Sequence, residues 1–165
     1  LEVGGKVPRL ILAAALGAIF AFGVAAPGAN AAPGDACSLL TQAQIKSATG
    51  ADVSAGVAGS PKLCQWNASM APTATVNFVT LVLQDPKFFE SGKNMPAPAN
   101  VPVRAIVTPV SGVGDDAYFV AVRDQVGLVV KKGSSAFKVA VYAKLPNEQK
   151  EAMEKSLATQ IASQL

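Results

Sequence analysis

The chain has 165 residues, half of them apolar and 15% charged, with a formal net charge of +3. That is enough chain for one packed domain and too apolar for a disordered one. It contains no histidine, which excludes Ser-His-Asp and Cys-His catalysis within these residues. Its basic residues are scattered apart from Lys131-Lys132, whereas a nucleic-acid protein clusters them, so no nucleic-acid partner is expected.

At the N-terminus, Lys6 and Arg9 precede an apolar, Ala-rich run from Leu10 to Ala26, and Pro27-Gly28 ends it. This is the n-region and h-region of a signal peptide. Ala29 and Ala31 place small residues at the two positions that signal peptidase reads, so residues 1–31 are expected to be removed and the mature chain to begin at Ala32. The alternative is a retained anchor, but the run is at the short edge of the about 20 apolar residues that span a membrane. Lipid attachment at Cys37 is disfavoured by Asp35 in the preceding Gly34-Asp35-Ala36. The domain is therefore expected to be periplasmic or secreted, meeting the membrane only transiently, through the signal peptide.

Residues 32–36 read as a mobile tail, and 37–165 as a single domain. Cys37 and Cys64 are the only cysteines. An even count in an exported chain favours a disulfide. A redox pair is usually spaced Cys-x-x-Cys, and a zinc site needs histidine or more cysteine. Closing this loop is worth about 3–4 kcal/mol by chain entropy.

Thr41-Gln42-Ala43-Gln44 has the form of a capping box, opening a helix to about Thr49 that Gly50 closes. Leu39, Leu40, Ile45 and Ala48 face the core. Residues 51–59 are small and Gly-rich, a weak strand and turn punctuated by Ser60-Pro61. Leu63 to Ala68 reads as a strand carrying Cys64 and Trp66. Thr73 to Gln84 is the strongest strand signal, apolar on both faces, which predicts a central strand covered on both sides, at least in part. Asp85 caps and Pro86 opens a short helix through Glu90. Residues 92–102 form a Pro-rich loop, expected to be flexible.

Arg104 to Val110 reads as a strand interrupted by Pro109, and Gly112 to Asp116 as a turn. A three-strand meander follows over 117–123, 127–132 and 136–144, with turns at Asp124-Gln125 and Gly133-Ser134. In the last strand Phe137, Val139, Val141 and Ala143 alternate with Lys138, Tyr142 and Lys144, the pattern of a half-buried antiparallel strand. Pro146-Asn147 opens a helix to about Leu165, with Met153, Leu157, Ile161 and Leu165 as its apolar stripe and Glu151–Lys155 as an i,i+4 pair. The fold class is α+β: a mostly antiparallel sheet, helices on one face, and one disulfide.

Asp115-Asp116 is the only adjacent acidic pair and the candidate for cation binding or acid–base work. A Gly-x-Gly-Asp-Asp turn accounts for it more simply, its carboxylates capping backbone N–H groups. Gly112-Val113-Gly114 lacks the third glycine of a dinucleotide loop and precedes a strand, so it is weak as a phosphate cradle. Trp66, Tyr118 and Tyr142 are candidates for a ligand groove or partner surface, weighed against plain core packing. Asn67-Ala68-Ser69 fits a glycosylation sequon and is read as chance. No cofactor or metal is expected.

Ala36-Cys37-Ser38-Leu39-Leu40-Thr41, followed by Cys64-Gln65-Trp66, resembles the opening of small bacterial exported proteins and lipoproteins of the DUF3558-type group. Gly112-Val113-Gly114-Asp115-Asp116-Ala117-Tyr118-Phe119, the Lys131-Lys132-Gly133 turn and a terminal amphipathic helix resemble their second half. The resemblance implies a Cys37–Cys64 pairing and an α/β sandwich similar to the Mog1/PsbP-like type, and brings no catalytic residue. The expected function is non-enzymatic binding of an envelope protein, a lipid or another envelope component, an apolar ligand fitting a groove between sheet and helices. The alternatives are a metal-assisted hydrolase using Asp115 and Asp116, and a structural accessory of envelope assembly.

Overall fold

The computed structural model describes residues 35–69, 74–94 and 105–165. The expected signal peptide of residues 1–31 with Ala29 and Ala31, the expected tail up to residue 34, residues 70–73 at the predicted start of the long strand, and 95–104 of the Pro-rich loop and following strand lie outside the described residues.

The described chain is α+β, as expected. Its elements are a 3-10 turn at Ala36–Ser38, α1 (Gln42–Thr49), β1 (Val57–Ser60), β2 (Leu63–Asn67), β3 (Val76–Gln84), α2 (Pro86–Lys93), β4 (Ile106–Val110), β5 (Asp116–Val122), β6 (Gln125–Lys132), β7 (Ser135–Ala143) and α3 (Asn147–Ala162). The strands form one seven-stranded sheet in the order β1-β2-β3-β7-β6-β5-β4, and every neighbouring pair is antiparallel.

Local chemistry sets most boundaries. Thr41 and Gln44 complete the capping box reciprocally, and Gly50 takes the left-handed conformation, φ 73°, that ends α1. Asp85 accepts from the Lys87 N–H and Pro86 occupies the first turn of α2. Pro109 does not interrupt β4, which runs through it opposite Tyr118; β4 is an edge strand, where the missing N–H costs no ladder bond. The β5–β6 turn is Arg123-Asp124 rather than Asp124-Gln125, with Arg123 at φ 58°. α3 stops at Ala162, leaving Leu165 exposed. Ala36, read from sequence as tail, is buried and donates its N–H to the Pro61 carbonyl at 2.9 Å.

The main core lies between one sheet face and α1 and α3. Ile45, Leu157 and Ile161 meet Trp66, Val79, Leu81, Leu128, Phe137 and Val139 there. The disulfide Cys37–Cys64 ties the 3-10 turn to β2 at the edge of this core. The helices do not share one face, however. α2 covers the opposite face, where Phe89 packs with Tyr118, Val129 and Ala136. Its eight residues reach only part of that face. In consequence β3 is central and covered in part on its second face, as expected: Val79 and Leu81 are buried, and Phe78, Thr80 and Val82 on the other face are half-buried.

Candidate binding cleft at a split in the sheet

Strands β6 and β7 pair from Lys132↔Ser135 to Leu128↔Val139 and then part, although β6 starts at Gln125 and β7 runs on to Ala143. Continued in register, Val141 would face Val126. Instead α3 supplies the missing partners. The Val141 N–H donates to Glu154 Oε1 at 2.8 Å, and Lys150 Nζ donates to the Asp124 carbonyl in the β5–β6 turn. Both side chains are buried, Lys150 at 1% exposure and Glu154 at 0%.

The two do not pair with each other. The ion pairs among the described residues are Lys46–Asp52, Lys93–Asp116, Lys131–Glu90 and Lys132–Asp115. Among the described residues Glu154 Oε2 has no hydrogen-bond partner. Burial pushes the Glu154 carboxyl up to about 8, against the pull of the Val141 N–H, Lys138 and Lys150, so it is mainly neutral at pH 7. Lys150 is thus a buried lysine whose acceptor is a backbone carbonyl and whose helical neighbour Glu154 is mainly neutral.

Lys150 lines an open cleft of about 550 Å³ at this end of the sheet, together with Asn77, Phe78, Asp124, Tyr142 and Lys144. Phe78 on β3 and Tyr142 on β7 are cross-strand partners. Their rings stack with centroids 4.2 Å apart and planes at 19°. The pair is half-buried, which leaves part of a large apolar surface at the cleft. A second hollow of about 330 Å³ runs along Thr49–Asp52, Ala68-Ser69 and Ala74–Val76. Its described lining has no aromatic ring and no buried charge, and Asp52 in it is paired with Lys46 at 2.7 Å.

The residues singled out in the sequence fall in three places. Trp66 is 1% exposed and sits in the main core, against Cys64 on the same sheet face. Tyr118 is 3% exposed on the opposite face. Its hydroxyl donates to the Phe89 carbonyl at 3.3 Å, and burial, then Glu90, raises its pKa. Neither ring offers the surface expected of a binding residue. Asp115 and Asp116 lie near Tyr118 but not near Trp66.

Asp115 accepts from the Gly133 N–H at 2.7 Å and from Lys132 at 3.1 Å, and these contacts, the first the larger, hold its carboxyl below the usual range. Asp116 is taken by Lys93, and Lys131 by Glu90. The acidic pair therefore fastens α2 and the β6–β7 turn to β5. No group of three or more potential metal ligands exists among the described residues.

Tyr142 is the one sequence-selected aromatic that borders the cleft. Lys150 and Glu154 were missed, although the signal was present. Their spacing with Leu157 and Ile161 follows the helical period, which puts all four on the buried face. The expected Glu151–Lys155 pair is not formed. No family model, curated protein or solved structure matches this chain.

Proposed function

We propose that the chain is an exported, disulfide-stapled, non-enzymatic domain that binds a component of the cell envelope in the cleft at the β6–β7 split. The observation that carries this reading is the Phe78–Tyr142 stack at the cleft on a sheet face that α2 covers only in part. Aromatic surface beside a few polar groups in a concavity is the usual make-up of a ligand site. Export is supported by the N-terminal pattern and by the disulfide. The resemblance to exported bacterial domains points the same way.

A hydrolase built on Asp115 and Asp116 has less support, because both carboxylates are engaged by lysines and a backbone N–H. The test is native mass spectrometry of the protein purified from the extracytoplasmic fraction of its own host. A bound component should appear as a mass adduct on the wild-type chain and be absent from Tyr142→Ala. An adduct retained in full by folded Tyr142→Ala and Phe78→Ala chains overturns the assignment to this cleft.

A further inference from the structure

The cleft's charge is unbalanced. Among its described lining residues Lys144 and Lys150 are basic and Asp124 is the one acid. Asp124 is exposed, and neither lysine is ion-paired with it. Lys150 is held in place by a neutral acceptor, the Asp124 carbonyl, and is shut off from bulk water. A buried ammonium has a strong demand for a counter-charge, and water-poor surroundings strengthen its attraction for one. Beside it, the Phe78–Tyr142 rings offer an apolar step.

We propose that the cleft selects an anion carried on a flat or apolar body: the negative group pairs with the exposed Lys144, within the field of the buried Lys150 beneath the cleft lining, and the body lies on the Phe78–Tyr142 pair. The ligand is a small molecule bearing one carboxylate or phosphate group, because a cavity of about 550 Å³ falls within the range of small-ligand pockets. This rests on the binding reading given above and adds the ligand's charge to it.

The probes are 2-naphthoate, 2-naphthyl phosphate and the uncharged 2-naphthamide, titrated by calorimetry into the disulfide-bonded chain at low salt. At least one anion should bind about tenfold more tightly than the amide, the equivalent of one modest charge interaction, and the stronger of the two tells carboxylate from phosphate. Lys150→Met should remove the preference and Lys150→Arg should retain most of it. Lys144→Gln, at an exposed position that does not threaten folding, should reduce it about threefold. Equal affinity for amide and anions, or a preference that survives both Lys150→Met and Lys144→Gln, overturns the proposal. If no probe binds but the native adduct still requires Tyr142, the charge inference fails and the cleft stands; if the adduct is also indifferent to Tyr142 and Phe78, both fail.

Discussion

Lys150 and Glu154 stand one turn apart on α3, both buried, and each bonds to the sheet instead of to the other. Lys150 holds the β5–β6 turn through the Asp124 carbonyl. Glu154 completes the β7 ladder where β6 has left it. The same two contacts bridge the β6–β7 split from α3, and Lys150 borders the cleft at that end of the sheet.

Glu154 makes stability fall as pH rises. Its folded-state pKa of about 8 lies above its ordinary value of 4.5, so the folded state holds a proton that the unfolded state gives up. The contribution is full below about 4.5 and is lost through 8, with a slope of about 1.4 kcal/mol per pH unit. Lys138, Lys150 and Glu151 modulate it. Urea unfolding at pH 5, 6.5 and 8 should show this decline in wild type and a nearly flat profile in Glu154→Gln, which should be the more stable protein at pH 8. Parallel profiles would remove the buried neutral carboxyl from the account.

Reducing Cys37–Cys64, or replacing both cysteines by alanine, should cost about 3–4 kcal/mol, because the bridge closes a 27-residue separation. The fold should survive, since Cys64 is one buried residue among many in the core between the sheet and α1 and α3. Guanidinium melts with and without reductant measure the difference. A change below about 1 kcal/mol would mean that the 3-10 turn is held by its backbone bonds alone.

Tyr118 is expected to be structural. Tyr118→Phe removes the bond to the Phe89 carbonyl and should cost about 0.5–1.5 kcal/mol without changing ligand binding. Gly92→Ala should cost more, about 1–3 kcal/mol, because a Cβ there would come within 2.3 Å of the Tyr118 hydroxyl. Loss of binding in a stable Tyr118→Phe chain would contradict this division of roles.

Calcium or magnesium at millimolar concentration should leave the melting temperature unchanged, because Asp115 and Asp116 are already satisfied by Lys132, Gly133 and Lys93 and a bound ion would stabilise the fold by mass action. A saturable rise that Asp115→Asn abolishes would restore the acidic turn as a metal site.

The sequence made local features legible and left the sheet's two-sidedness obscure. The Thr41–Gln44 box, the Gly50 stop and the Asp85-Pro86 start follow from short-range bonding and appear where read. So does the meander that ends in β7, whose alternation is a direct record of one buried face. What required the fold was the placement of α2. A short helix bears no mark of which sheet face it will cover, so Tyr118 and Trp66, both plausible as surface aromatics, were buried on opposite faces. The β6–β7 split also lay beyond local reading, because β6 extends two residues before the predicted strand and departs from its partner there. Polar identity hid Lys150 and Glu154, whose helical phase places them with Leu157 and Ile161 in the interior.

The most direct test of the cleft is amide chemical-shift mapping of the isotopically labelled, disulfide-bonded chain titrated with 2-naphthoate. The account predicts saturable shifts concentrated at Asn77, Phe78, Asp124, Tyr142 and Lys150, with the Asp115–Tyr118 segment unmoved. Shifts centred on that acidic segment, or spread without a focus over both sheet faces, would contradict it.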